Sequence, residues 1–113
     1  MFKITPCGND TYRIRNKTTK QYLTCLNANK GGKMIFADGV KNDNNQLFRF
    51  EEVDHHTYVL KTVYGYVLDV ENDSKENGAR VIQWDHDNSK NQLWRMQDPK
   101  DITSSSSDWE GGF

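Results

Sequence analysis

Asn91-Gln92-Leu93-Trp94-Arg95 restates, 46 residues later, the run Asn45-Gln46-Leu47-Phe48-Arg49, with one aromatic exchanged for another. The same offset carries outward. Thr11-Tyr12 recurs as Thr57-Tyr58, Gly32 as Gly78 and Asn42 as Asn88. One residue fewer near Gly65 shifts the middle of the second copy to an offset of 45 and aligns Leu23 with Leu68. Phe48-Arg49-Phe50 is also similar to Phe2-Lys3-Ile4, so residues 1–4 read as the last strand of a preceding unit. A match of this length with one small indel marks a tandem duplication, with copies at about residues 1–50 and 51–97.

Within each copy the hydrophobic period is two. Tyr58-Val59-Leu60-Lys61 and Tyr66-Val67-Leu68-Asp69-Val70 are short, rich in aromatic and β-branched residues, and separated by a turn at Tyr64-Gly65. Residues 80–84 follow an Asn77-Gly78 turn signal, and residues 92–96 complete the unit. The first copy supplies matching strands near 12–16, 21–26, 33–37 and 46–50. Four short strands per copy and no helical segment predict an all-β barrel or sandwich.

Composition removes several functions. The chain has 113 residues, enough for one small domain with a lean core, since 35% are hydrophobic. Fifteen basic residues against sixteen acidic ones leave a net charge of −1. That balance provides no basic stripe for nucleic acid and no electrostatic hold on anionic lipid. No run approaches the roughly 18–20 apolar residues that cross a bilayer. The start has no charged-then-apolar signal pattern, which favours a cytoplasmic setting, or a secreted one if the chain is a fragment. Cys7 and Cys25 are too few for a disulfide framework and have no zinc spacing. Cys25 aligns with the inward Val70 and reads as a buried thiol; a Cys7–Cys25 bridge is the alternative. Sequons begin at Asn9, Asn16 and Asn72, and matter only in a secretory pathway. Residues 98–113 carry Ser104 to Ser107 and read as a flexible Ser-rich tail, or as a segment whose Trp109 and Phe113 dock on an open face.

The segment Gly65-Tyr66-Val67-Leu68-Asp69-Val70, with Asn77-Gly78, residues 81–84 and Asn91-Gln92-Leu93-Trp94, resembles the ricin B-chain type of β-trefoil lectin. The Gln-x-Trp signature of that family is Gln92-Leu93-Trp94, and Gln46-Leu47-Phe48 in the first copy. The resemblance covers residues 1 to about 97 and implies a β-trefoil-type fold. A trefoil of this family closes with three units, and two are recognisable here. The third is expected to be missing, supplied by oligomerisation, or partly covered by the tail, with unpaired strand edges as the liability.

The resemblance also implies a function, a non-enzymatic carbohydrate-binding module that needs no cofactor or metal and has glycans as partners. A sugar needs acceptors and donors for its hydroxyls and a flat polarisable surface for its C–H face. If Leu68 and Val70 face the core, Asp69 faces out. By resemblance, Asp69 accepts from sugar hydroxyls, Trp84 stacks on the ring and Asn91 bonds a hydroxyl. Gln92 is implied as a brace or a direct contact, with Asp85, His86 and Asn88 at the rim, and Trp94 is core. Singly, Asp69 is an ordinary solvated residue, Trp84 ordinary core and Asn91 an ordinary turn cap; it is their joint spacing that points to a site. The first copy has Thr24 in place of Asp69 and, at an offset of 46, Asp38 in place of Trp84, so one competent site per chain is expected. The leading ligands are galactose or N-acetylgalactosamine. A single shallow site is weak, so useful affinity calls for an oligomer or a larger chain. The rivals are an inhibitor-like protein-binding trefoil and a targeting module of an enzyme or toxin. His55-His56 beside Glu51, Glu52 and Asp54 reads as a solvated inter-unit turn. No carboxylate pair has the context of a glycoside hydrolase.

Overall fold

A β-strand needs only backbone pairing and one buried face, and this chain supplies both at each repeat of its pattern. The computed structural model describes residues 2–40, 44–71, 80–98 and 101–104, with side chains as far as Arg95. Its strands are β1 Phe2–Gly8, β2 Thr11–Asn16, β3 Tyr22–Cys25, β4 Met34–Ala37 and β5 Phe48–Asp54. They continue as β6 Thr57–Thr62, β7 Val67–Val70, β8 Val81–Trp84, β9 Trp94–Asp98 and β10 Asp101–Ser104. The all-β expectation therefore holds.

Three long antiparallel hairpins, β1–β2, β5–β6 and β9–β10, form the wall of a barrel. They join laterally where Tyr12 pairs with Phe48 and Tyr58 with Trp94. β10 comes alongside β1, so the wall is nearly closed by one chain. Two short hairpins, β3–β4 and β7–β8, branch from β2 and β6 and cap one end. A third such cap is not among the described residues. The duplication extends to irregularities: a bulge between Pro6 and Gly8 recurs between Glu52 and Asp54, 46 positions on. His55-His56 forms the tip of the β5–β6 hairpin, with His56 at φ 53°.

The core shows the same periodicity. Phe2, Phe48 and Trp94 stand 46 residues apart and are each 3% exposed or less. Ile14 and Leu60, Leu23 and Leu68, and Met34 and Val81 complete the equivalent pairs. The Trp94 indole N–H donates to the Leu68 carbonyl at 3.3 Å, which satisfies its one polar atom inside the core. Cys25 is buried and both cysteines are free.

Three sequence expectations need correction. Gln46 and Gln92 do not open strands; they close the 3-10 turns Asn44–Gln46 and Lys90–Gln92. Period two cannot register such a turn, because a tight turn carries its residues out of the pleat. Trp84 is matched by Ala37, not Asp38. Ala37 pairs with Tyr22 as Trp84 pairs with Val67, because the second cap loop (residues 71–80) is two residues longer than the first (26–33). The chain after residue 97 is not wholly a tail, since Asp101–Ser104 pairs with β9. The Asn77-Gly78 turn, the Asn72 sequon, Trp109 and Phe113 lie outside the described residues.

Candidate functional site

The outer face of the second cap is where β7 and β8 leave the core. Leu68 and Val70 point inward, and the cross-strand pairs Asp69–Ile82 and Val67–Trp84 lie on the other face. A cleft of about 490 Å³ opens there, and Asp69, Trp84 and Asn91 all line it. Ile82 and Glu71 add to its strand side, Asp87 and Ser89 to the loop side, and Gly31 to the far wall. Trp84 keeps 38% of its surface exposed, an unusual state for an indole unless it has a surface to meet.

Asp69 departs from expectation. It faces outward but is 6% exposed, not solvated. The Asn91 side-chain amide donates to Oδ1 at 2.8 Å and the Gln92 amide to Oδ2 at 2.9 Å. The Asn91 amide also reaches the Val70 carbonyl at 3.0 Å, which ties the turn to β7. Gln92 is fully buried; it donates to the Asp85 carbonyl at 2.7 Å and accepts from the Asp87 N–H at 3.0 Å. It is therefore a brace beneath the cleft. A carboxylate offers about four acceptor positions, so two amides leave the others for hydroxyl donors.

Burial raises the Asp69 carboxyl above its ordinary value; the Gln92 and Asn91 amides oppose this, while the Asp87 and Glu71 charges add to it. Two pH effects of opposite sign follow. The folded pKa exceeds the unfolded one, so Asp69's contribution to stability is greatest below the unfolded value and is lost as pH rises through the folded value. Hydroxyl recognition needs the ionised acceptor. Ligand affinity should therefore fall on acidification through a pH above the usual carboxylate range while that contribution grows. Parallel ligand titrations and urea melts between about pH 3 and 7 check this, and affinity that holds down to the ordinary carboxylate range overturns it.

The far wall comes from the first repeat. The Gly31 N–H donates to the Gln83 carbonyl and the Gln83 N–H to the Gly32 carbonyl, both at 2.8 Å, and Lys33 bridges to Ile82. The buried Gln83 amide donates to the carbonyls of Asn27 at 3.0 Å and Asn29 at 2.7 Å. Gly32 admits no side chain here, because a Cβ would lie 2.7 Å from the Asn27 carbonyl oxygen. The loop so held places the Lys30 ammonium 4.5 Å from the Trp84 ring centroid and pairs it with Asp85 at 2.5 Å.

Of the seven residues expected from sequence, Asp69, Trp84, Asn91 and Gln92 come together. Asp85 supports the site through its carbonyl and its pair with Lys30. His86 does not line the cleft, and Asn88, at φ 61°, lines a different groove. Sequence reasoning missed Gly31, Lys30, Glu71, Ile82, Asp87 and Ser89. Asp87 and Ser89 lie in the loop before the Lys90–Gln92 turn, where period two gives no guide, and nothing local points to Lys30.

The equivalent place in the first repeat keeps the brace and loses the chemistry. The Gln46 amide donates to Thr24 Oγ1 at 3.2 Å and the Gly39 carbonyl at 3.1 Å, as Gln92 does to Asp69 and Asp85. Thr24 supplies no carboxylate, and Ala37 supplies no ring.

A family model described as the ricin-type beta-trefoil lectin domain-like family matches residues 44–109, more than half the chain. The chain belongs to this family. Among solved structures, this lectin-like domain is similar to a designed threefold-symmetric protein, ThreeFoil, at 28% identity and a TM-score of 0.79. That match covers 88% of this chain and 76% of the designed one. An exo-β-1,3-galactanase from Clostridium thermocellum matches at 23% identity and TM-score 0.76, over 83% of this chain and 21% of its own. Polyporus squamosus lectin matches at 22% and 0.72, over 88% and 38%. The lectin-like domain thus spans about two fifths or less of these two natural chains. Comparison with curated protein sequences finds no match.

Proposed function

We propose that this lectin-like domain is a carbohydrate-binding module whose competent site is the cleft at Asp69, Trp84 and Asn91, with galactose or N-acetylgalactosamine as ligand. The observation that carries this reading is the buried Asp69 carboxylate, fixed by two amides, in the same cleft as a half-exposed indole. That pairing meets both demands of a sugar: fixed acceptors for adjacent hydroxyls and a polarisable plane for the C–H face. The designed and fungal neighbours agree in fold, and the fungal one is a lectin by name.

Nitrogen–proton NMR of the chain titrated with galactose, N-acetylgalactosamine, lactose and mannose tests the reading through the Trp84 indole signal. Saturable shifts with the galactosides are expected at millimolar concentrations. Trp84→Ala should weaken binding, read from the backbone amide signals of the cleft residues, about five- to thirtyfold, the worth of one aromatic face or about 1–2 kcal/mol. An unmoved indole signal up to tens of millimolar of every sugar would move the assignment to a protein-binding trefoil. Clustering of several copies, on an oligomer or in a longer chain, would convert such weak sites into useful avidity.

A further inference from the structure

Trp84 is the last residue of β8, and 38% of it is exposed. A side chain in that state has several staggered positions open to it. A sugar that also bonds Asp69 needs one of them, the one that sets the ring plane against the carboxylate. Freezing a free ring at the moment of binding lowers affinity, and a ring already held avoids that loss.

The parts that hold this ring come from the first repeat. Gly31 lies against its six-membered edge, since a Cβ on Gly31 would be 3.6 Å from the Trp84 Cζ3. Lys30 lies over its face, with the ammonium 4.5 Å from the centroid. The ammonium is held in turn by the carboxylate of Asp85, the residue after Trp84. Asp85 has its carbonyl fixed by the Gln92 amide at 2.7 Å, and the same amide fixes Asp69 at 2.9 Å. One run of contacts, Asp69–Gln92–Asp85–Lys30–Trp84, therefore joins the acceptor to the ring. Lys30 does not line the cleft, and its side chain is 43% exposed, so replacing it disturbs no core. The loop that carries it is anchored separately, through the Gln83 amide and the carbonyls of Asn27 and Asn29.

We propose that Lys30 is a positioning residue for sugar binding: its ammonium, clamped by Asp85, holds the Trp84 ring in the plane on which the sugar stacks. The proposal rests on the lectin reading above and adds a first-repeat side chain to the determinants of that site. It has an unusual consequence. The Lys30–Asp85 pair is exposed and therefore screened by salt, so the affinity for an uncharged sugar should depend on ionic strength.

The test is an NMR titration of the full chain with galactose at about 0.02 M and about 0.5 M sodium chloride, read from the backbone amides of the cleft residues. In the free protein the Lys30 ε-methylene protons should lie upfield of their usual position, shifted by the indole, and Trp84→Ala should return them. Lys30→Met keeps the aliphatic stem and removes the charge. It should weaken galactose binding about two- to fivefold at low salt, the scale of one exposed cation–π contact. Lys30→Arg should restore the affinity, because a guanidinium also stacks on an indole face. High salt should weaken binding to the native chain about twofold, the scale of an exposed ion pair, and leave Lys30→Met unaffected. Asp85→Asn, which keeps the carbonyl bond to Gln92, should likewise remove the salt response. A merely structural role for Lys30 gives neither the salt response nor the rescue by arginine. Galactose affinity that is unchanged or tighter in Lys30→Met, or native affinity indifferent to salt, overturns the proposal and leaves the lectin reading standing. A Lys30 methylene signal at its usual position overturns it whatever the sugar does. If galactose, N-acetylgalactosamine and lactose all fail to bind the native chain, the lectin reading falls and this role falls with it.

Discussion

Asp69→Asn should abolish measurable sugar binding and leave a folded protein. The substitution preserves shape and changes only what the two oxygens offer. In the native protein both accept, one from the Asn91 amide at 2.8 Å and one from the Gln92 amide at 2.9 Å. An asparagine amide would turn one acceptor into a donor aimed at another donor. The expected stability cost is about 1–3 kcal/mol, that of one buried polar group left unpaired. The loss of affinity should be larger, at least about a hundredfold, because hydrogen bonds to a charged acceptor are roughly twice as strong as neutral ones. The displaced Asn91 amide would also no longer present its own group to the ligand. Urea unfolding and Trp84 NMR titration measure the two quantities separately. Retained sugar binding in this variant would exclude the carboxylate as the acceptor.

Gln92→Ala should be among the most destabilising single changes in the described structure. Its side chain is fully buried and makes three hydrogen bonds: to Asp69, to the Asp85 carbonyl and from the Asp87 N–H. Truncation leaves those partners unsatisfied and opens a cavity, for a loss of about 3–5 kcal/mol. A domain of this size has about 5–15 kcal/mol in total. The melting midpoint should drop by roughly 15 °C or more. Gln46→Ala removes the same brace from the first repeat, where its described partners include a neutral hydroxyl and a carbonyl and no carboxylate. It should cost about 2–3 kcal/mol and leave sugar affinity unchanged. Calorimetry of the two variants, with ligand titration under conditions where both stay folded, separates a folding role from a binding role. Equal effects of the pair on affinity would place the site elsewhere.

The barrel was legible because its rules are local and repeated. The 46-residue echo, with period two inside it, fixed the strand class and the core residues Phe48, Leu68 and Trp94. What escaped was set by geometry between distant segments. Asp69 faces outward as alternation requires, but the Asn91 and Gln92 amides and the adjoining loop bury it, and no pattern within β7 encodes that. The match of Trp84 to Ala37 depends on cap-loop lengths, which a constant offset blurs. The serine run from Ser104 makes residues 98–113 read as a tail, yet Asp101–Ser104 is held as a strand by backbone pairing with β9. Lys30 reaches Trp84 across 54 positions of sequence, and only the fold brings them together.

That last contact makes the cleft a property of the seam between the two copies. The strands come from one copy, while the opposing wall at Gly31 comes from the other and is fastened by Gln83, with Lys30 beside it over the Trp84 ring. A ligand seated there would touch both halves at once, so its binding energy would add to the energy that holds them together, and by reciprocity anything that loosens the seam would loosen the ligand. Duplication here did more than copy a unit: it created a crevice that neither half has alone.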